Sequence, residues 1–401
     1  MNPSDLIPPG SVPDQAHPSL VRRLEMVRSR LNAPPAVSGE VLRRRAESLF
    51  RKAFGEEAQA ETVGLGACAP LSAEHTQFYP GFGFYLSMPG GVAVSAECGG
   101  TDFHVRTSCI GRSAASAKPF TDIVRRLVEV ISRDCGPLCL AVTQAGPLLG
   151  DTTIAAVAYG AVCCLSPENE EEELVERARR ACAAATGGPF GRAHFAALSI
   201  SAPAGKYVLV DGESGTAHIV SPDEKDTLGW ALVETGGTVD AGGDELTHRA
   251  GLLEAAHQQL LSGGYAGVSS LRDIDHRDLP AALQLLNVKE ASVVRHLVSE
   301  DRRVMRLVMM LKRPGGQLLG ATLSMSQASQ RDDWLGDVPE VAYILDRAVE
   351  VEGVFGGRQL DGGRSGALLL VGRPYLLADF LDGLIIPFRN AYNRELTITL
   401  L

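Results

Sequence analysis

Apolar residues recur at Leu20, Leu24, Val27 and Leu31, the spacing of one face of an α-helix, with polar residues between them. Pro34-Pro35 interrupts that pattern, and a second helical pattern runs over 39–54. Ahead of both, residues 1–18 are rich in Pro, Ser and polar groups and read as a mobile tail. From 63 to 109 the period shortens. Alternating runs such as 91–96 and 103–107 are parted by Gly and Pro, which predicts antiparallel strands. A helix over 120–134, an apolar strand over 138–142, a turn-rich loop and an apolar helix over 152–164 follow. The acidic run 168–173 opens a further helix, its charges lying where the helix dipole favours them. A hairpin over 206–220 closes this half.

The second half begins with a strand over 229–235 and a helix over 244–262. Two long helices are predicted near 278–312 and 338–351. Glycine-rich 356–363 then turns into a strand over 367–371, and a last helix ends in a strand over 396–400. Strands and helices interleave without the regular alternation of a doubly wound sheet, so the class is α+β. A tail over 1–18 and two domains, over 19–220 and 221–401, are expected, and no internal repeat is evident.

Composition narrows the function classes. A chain of 401 residues, 45% hydrophobic and 21% charged, has the bulk character of a globular enzyme in two packed domains. The formal charge of -10 argues against a nucleic-acid partner, whose phosphates need a basic surface. The clusters Arg22-Arg23 and Arg43-Arg44-Arg45 sit at helical spacing and read as solvated helix faces. No basic-then-apolar leader opens the sequence and no apolar run suits a bilayer, so no membrane partner and a cytoplasmic location are expected. The 8 cysteines lack zinc-type pairing and read as small buried hydrophobes in a reducing setting. No metal site is expected. Glu254 with His257 has no second pair, and the acids Asp273, Asp275 and Asp278 lack the glycine of a calcium loop.

The segment 66–83, GACAPLSAEHTQFYPGFG, carries Glu74, His75 and Thr76 in the arrangement of the galactokinase signature, and resembles it. Further landmarks follow in the same order. They are Thr186-Gly187-Gly188-Pro189-Phe190-Gly191, Leu271-Arg272-Asp273-Ile274-Asp275, the stretch 294–300, Arg331-Asp332-Asp333-Trp334 with Pro339-Glu340, and Gly357-Arg358 with Gly362, Gly363 and Gly366. Together they resemble a galactokinase-type member of the GHMP small-molecule kinase superfamily. The resemblance implies an N-terminal α+β domain, a C-terminal ferredoxin-like domain, and a ligand cleft between them.

The same resemblance implies altered chemistry. The family's phosphate loop falls on 145–156, where only Gly150 stands at a position expected to be one of the loop's glycines. Leu148 and Leu149 add bulk there, Asp151 adds a negative charge and Ile154 replaces a serine. Thr152 and Thr153 fit a modified anion site, or else Asp151 or Thr152 is the N-cap of a core helix. The signature arginine falls on Cys68, which lacks a guanidinium's fixed charge and reads as a nucleophile or a buried thiol. The catalytic aspartate falls on His194 by the glycines, or on Ala193 by Phe195. A histidine there fits a general base, or a buried ring satisfied by one hydrogen bond.

Glu74 and His75 stand where the family contacts sugar hydroxyls, and they fit that role or simply the holding of a loop. Gln77, Phe78 and Leu246 replace an aspartate and two tyrosines. In the third motif Asp361 stands for a glycine, and Arg364 is a new cation that fits either an anionic ligand or a plain surface arginine. Three readings follow. The leading one is ATP-independent chemistry on a sugar-like or phosphorylated small molecule, with no cofactor. The others are a catalytically silent sugar-binding protein and an atypical kinase using ATP and magnesium.

Overall fold

The computed structural model describes residues 26–27, 31, 37–57, 60–99, 102–147, 150–200, 202–222, 228–236, 243–313, 315–334 and 336–401. The expected tail, the Pro34-Pro35 break, Leu148 and Leu149 lie outside these residues, as does most of the first predicted helix. From that helix, Val27 and Leu31 are buried, and the Leu31 N–H donates to the Val27 carbonyl at 3.2 Å.

α1 (Gly39–Phe54) begins at Ser38, whose hydroxyl accepts from the Val41 N–H, and buries Leu42, Ala46 and Phe50 on one face. The first sheet contains β1 (Glu61–Ser72), β2 (Phe82–Cys98), β3 (His104–Cys109), β4 (Leu138–Ala145), β5 (Tyr207–Asp211) and β6 (Ala217–Val220). Its order is β3-β4-β2-β5-β6, with β1 antiparallel along the other side of β2. The expected all-antiparallel set needs correction at one point: β3 runs parallel to β4. The crossover α2 (Ala114–Cys135) makes that pairing possible, because parallel neighbours need a long connection.

α3 (Gly150–Leu165), α4 (Glu171–Thr186) and α5 (Ala193–Ser199) complete this layer. α3 is apolar nearly all round and sits in the middle of the first core, among Val124, Leu127, Leu140 and Val142.

The second sheet is wholly antiparallel, in the order β10-β7-β9-β8. Its strands are β7 (Gly229–Glu234), β8 (Val354–Gln359), β9 (Ala367–Gly372) and β10 (Thr397–Leu400). Around it lie α6 (Gly243–Ser262), α7 (Leu279–Leu283), α8 (Val288–Met310), α9 (Gln317–Asp333), α10 (Pro339–Ala348) and α11 (Pro374–Tyr392). A third apolar cluster joins the two sheets, uniting Leu71, Phe84 and Leu86 with Val304, Leu307, Leu319 and Leu369. The class is α+β.

Three local expectations differ from the structure. The predicted helix over 278–312 is two helices, because Asn287 caps α8 afresh with a box to Glu290. α9 was hidden by its buried Ser, Thr and Gln, which break the apolar stripe. β8 overlaps the first part of the glycine-rich run 356–363, which by pattern reads as a turn. Its glycines serve close approach instead: a Cβ on Gly356 would lie 2.3 Å from the Gly320 carbonyl oxygen of α9.

Candidate functional site

β1 ends at Ser72, and the chain turns through a short 3-10 helix, Glu74–Gln77, whose residues are all buried. Thr76 donates its hydroxyl to the Ala73 carbonyl at 2.6 Å, which fixes the turn. The Glu74 carboxylate accepts from the Ala73 N–H at 3.1 Å, the Asp361 N–H at 3.1 Å and Arg358 Nη2 at 3.0 Å. His75 Nε2 donates to the Phe82 carbonyl at 2.8 Å, since a carbonyl can only accept. Burial pushes the His75 ring below its ordinary pKa, although Glu300, Asp301 and Glu74 pull the other way. Both residues expected at the sugar are therefore engaged in holding the loop.

Arg358 of β8 is the hub. It is only 1% exposed and is the largest fully buried side chain among the described residues. Beyond Glu74 it donates to the Leu71 carbonyl at 3.0 Å and to Gln330 at 3.2 Å, and it pairs with Glu300 at 3.5 Å. Glu300 also accepts from Ser72 and Ser326, each at 2.8 Å, and pairs with Arg303. Burial pushes the Glu300 carboxyl up, but Arg303 and Arg358 overcome it and hold it far below the usual carboxylate range. This network ties the first motif, α8, α9 and the strand before the third motif into one unit.

At the start of α3 the replaced residues meet one another. Asp151 accepts from Gln77 Nε2 and pairs with Arg364 Nη2, both through Oδ2. Thr152 donates to the Cys68 carbonyl at 2.7 Å, so its hydroxyl is committed to β1. The third motif wraps round this end of the helix. Gly362, Gly363 and Gly366 have φ of 61°, 88° and 60°, the left-handed region in which a side chain is strained. Asp361 shares that region with φ 52°. Its carboxyl lies against Gly150, and neither oxygen has a hydrogen-bond partner among the described residues, although the Ser365 hydroxyl comes near. Burial raises the Asp361 carboxyl to about 7, with Asp151 and Glu74 adding repulsion and Arg364 opposing it.

His194 lies in the first turn of α5 and is 0% exposed, between the rings of Tyr85 and Phe190. Nδ1 shares a hydrogen bond with the Tyr85 hydroxyl at 3.1 Å, while Nε2 has no partner among the described residues. Burial pushes its pKa down, so the ring is neutral at physiological pH. Ala193, the other candidate for this position, is buried as well.

Cys68 fits the buried-thiol reading rather than the nucleophile. Its Sγ donates weakly to the Ala197 carbonyl at 3.7 Å, and burial pushes the thiol up to about 12, away from the thiolate that attack requires. In the native protein, iodoacetamide is expected to alkylate exposed Cys98 and to leave Cys68 untouched, as peptide mass spectrometry would read. Early labelling of Cys68 would contradict this placement.

Beside α3 lies an open cavity of about 480 Å³. Phe120 and Ile123 of α2 and Ile154 of α3 form its apolar wall, with Arg112, Glu234 and Arg364 at its polar edge. Arg112 donates to both oxygens of Glu234, at 3.0 and 2.8 Å, which links the two sheets. Among the described residues no three His, Cys, Asp or Glu side chains gather as a metal site, and no helix is long and apolar enough to cross a membrane. Glu254 instead accepts from Gln258, His257 binds the Val268 carbonyl, and Asp273 closes a capping box with Ser270.

The three motifs meet: Gln77, Asp151 and Arg364 touch, and Glu74 binds the Asp361 N–H. Leu246 covers Gly188 of the 186–191 landmark, and Gly191 abuts Thr76. Arg358 and Glu300 escaped notice as site residues, although a lone arginine within the strand-forming stretch 354–359 was the available signal.

No family model matches the chain. A galactokinase of Streptomyces coelicolor is 38% identical over 107 residues, which is 26% of this chain and 27% of that protein. A Pasteurella multocida galactokinase is 31% identical over 129 residues, 31% of this chain and 34% of its own length. The chain thus matches about a third or less of the length of these curated relatives. In fold the likeness is far broader. The structure of Lactococcus lactis galactokinase complexed with galactose superposes with a TM-score of 0.70 at 16% identity, over 90% of this chain and 97% of that one. The chain is therefore galactokinase-like: it shares the α+β fold of a galactokinase over nearly its whole length and resembles galactokinase sequences over about a quarter to a third of it.

Proposed function

We propose that this chain uses the interdomain cleft of its galactokinase-like fold to bind a sugar-like small molecule, without transferring phosphate to it from ATP. The observation that carries this reading is the bonding of Asp151. A carboxylate occupies the first turn of α3 and is held by Gln77 of the first motif and Arg364 of the third. A magnesium triphosphate needs bare N–H groups and free positive charge at such a place. Here it meets Asp151 and Asp361, and the guanidinium of Arg364 is already paired. The residues do not fit ATP with magnesium, and His194, neutral and buried, does not replace a metal-holding carboxylate. That the related Lactococcus lactis enzyme was solved with galactose supports a sugar-type ligand.

One observation favours turnover of that ligand over binding alone. Asp361, raised to about 7, is a group able to give and take a proton near neutral pH, and the unpartnered Nε2 of neutral His194 is free to accept a hydrogen bond or a proton. The expected outcome of a thermal-shift screen is a rise in Tm with one or more sugars and none with ATP and magnesium, because only a ligand of the native state raises Tm. Magnesium-dependent release of ADP in the presence of a sugar would defeat the proposal. Conversion of the sugar without ATP, abolished in His194→Ala, would favour an enzyme over a silent binder.

A further inference from the structure

α3 is 16 residues long, and its first turn borders the cavity at Gly150 and Thr153. The N-terminal end of such a helix attracts anions through its dipole and its unpaired N–H groups. In this protein a side chain stands in that place. A Cβ built on Gly150 would lie 2.3 Å from Asp361 Oδ2, so the carboxyl fills the space over the first residue of the helix. Asp361 is 1% exposed, and neither of its oxygens has a hydrogen-bond partner among the described residues. A buried carboxyl without a donor is costly to the fold. Gln77 and Arg364 spend their hydrogen bonds on Asp151, so Arg364 offsets the Asp361 charge only through space, and the Ser365 hydroxyl nearby adds a small further relief.

We infer that Asp361 is a specificity-determining residue: it occupies the anion seat at the start of α3, so the cleft admits neutral or cationic sugars and turns away phosphorylated ones. The inference rests on the sugar-cleft reading given above. Its direct consequence is that shortening this one side chain opens a phosphate site. Glycine is well suited to the position, whose φ of 52° lies in the region glycine adopts freely.

The test titrates inorganic phosphate into the wild-type protein, Asp361→Gly and Asp361→Asn. Heat of binding and Tm are followed against sodium chloride of equal ionic strength. Saturable binding is expected for Asp361→Gly alone, at least about tenfold tighter than any binding to the wild type, with a matching rise in Tm. Asp361→Asn keeps the bulk and loses the charge, and it is expected to remain blind to phosphate. Saturable phosphate binding by the wild type, none by a folded Asp361→Gly, or equal binding by Asp361→Asn would each overturn the inference. A parallel titration with galactose and galactosamine separates the two claims. If no variant binds either sugar, the cleft reading loses support, while the phosphate result still decides whether Asp361 fills the seat.

Discussion

Arg358→Met is expected to destabilise the protein by about 3–5 kcal/mol, the cost of removing one partner from a buried ion network. The guanidinium meets Glu74 at 3.0 Å and Glu300 at 3.5 Å, where all three side chains are nearly or fully excluded from water. Methionine fills much of the volume but supplies no charge and no donor. Two carboxylates, the Leu71 carbonyl and Gln330 then lose a donor in a medium where each unmet group is expensive. Arg303 still faces Glu300, so the loss falls hardest on Glu74 and the first-motif turn.

Urea unfolding measures this directly, and a loss under about 1 kcal/mol would show that the network contributes little. Adding Glu300→Gln to Arg358→Met is expected to cost less than the two single changes summed, because the second removes a charge the first had stranded. Acid acts on the same group. The Glu300 carboxyl is depressed from its ordinary 4.5, so its contribution is fully present above that value and is lost as pH falls through the depressed pKa. Arg358→Met is expected to move this loss to higher pH.

Asp361→Asn is expected to do the opposite and stabilise the protein, increasingly so as pH rises. The folded-state carboxyl titrates at about 7 rather than at its ordinary 3.8. Between those values the folded chain keeps a proton that the unfolded chain releases, so wild-type stability falls as pH rises from about 4 to about 7 and then levels off. The full difference corresponds to up to about 4 kcal/mol at about 1.4 kcal/mol per pH unit, an upper figure because Asp151 titrates beside it. Asparagine carries no such charge, and it adopts a positive φ more readily than most side chains. Thermal or urea unfolding at pH 5 and pH 8 should show a gap between variant and wild type that widens with pH. A gap that is constant, or that narrows, would mean that the carboxyl finds a donor in solution.

Much of the fold was legible in the chain because one-dimensional patterns carry it. The apolar stripe of α1, the alternation in β2 and the all-round apolar run of α3 each state a period and a burial. That the motifs share one cleft was implied by the family resemblance and by no pattern in the chain. Where patterning failed, in α9 and β8, burial is met by polar side chains and by bare glycine backbone, which leave no hydrophobic period to read.

The site divides in the same way. Sequence, through the family resemblance, set which charges to look for: Cys68 where the family has arginine, Asp151 in the stretch aligned with its phosphate loop, Asp361 for a glycine of its third motif, and Arg364 as a new cation. Only tertiary structure decided what those groups do, since a carboxylate's role depends on which donors surround it. Asp151 is bonded by residues 74 and 213 positions away, and Glu74 by one 284 away. Such partners are set by how the two sheets close on each other, and no local spacing records that closure.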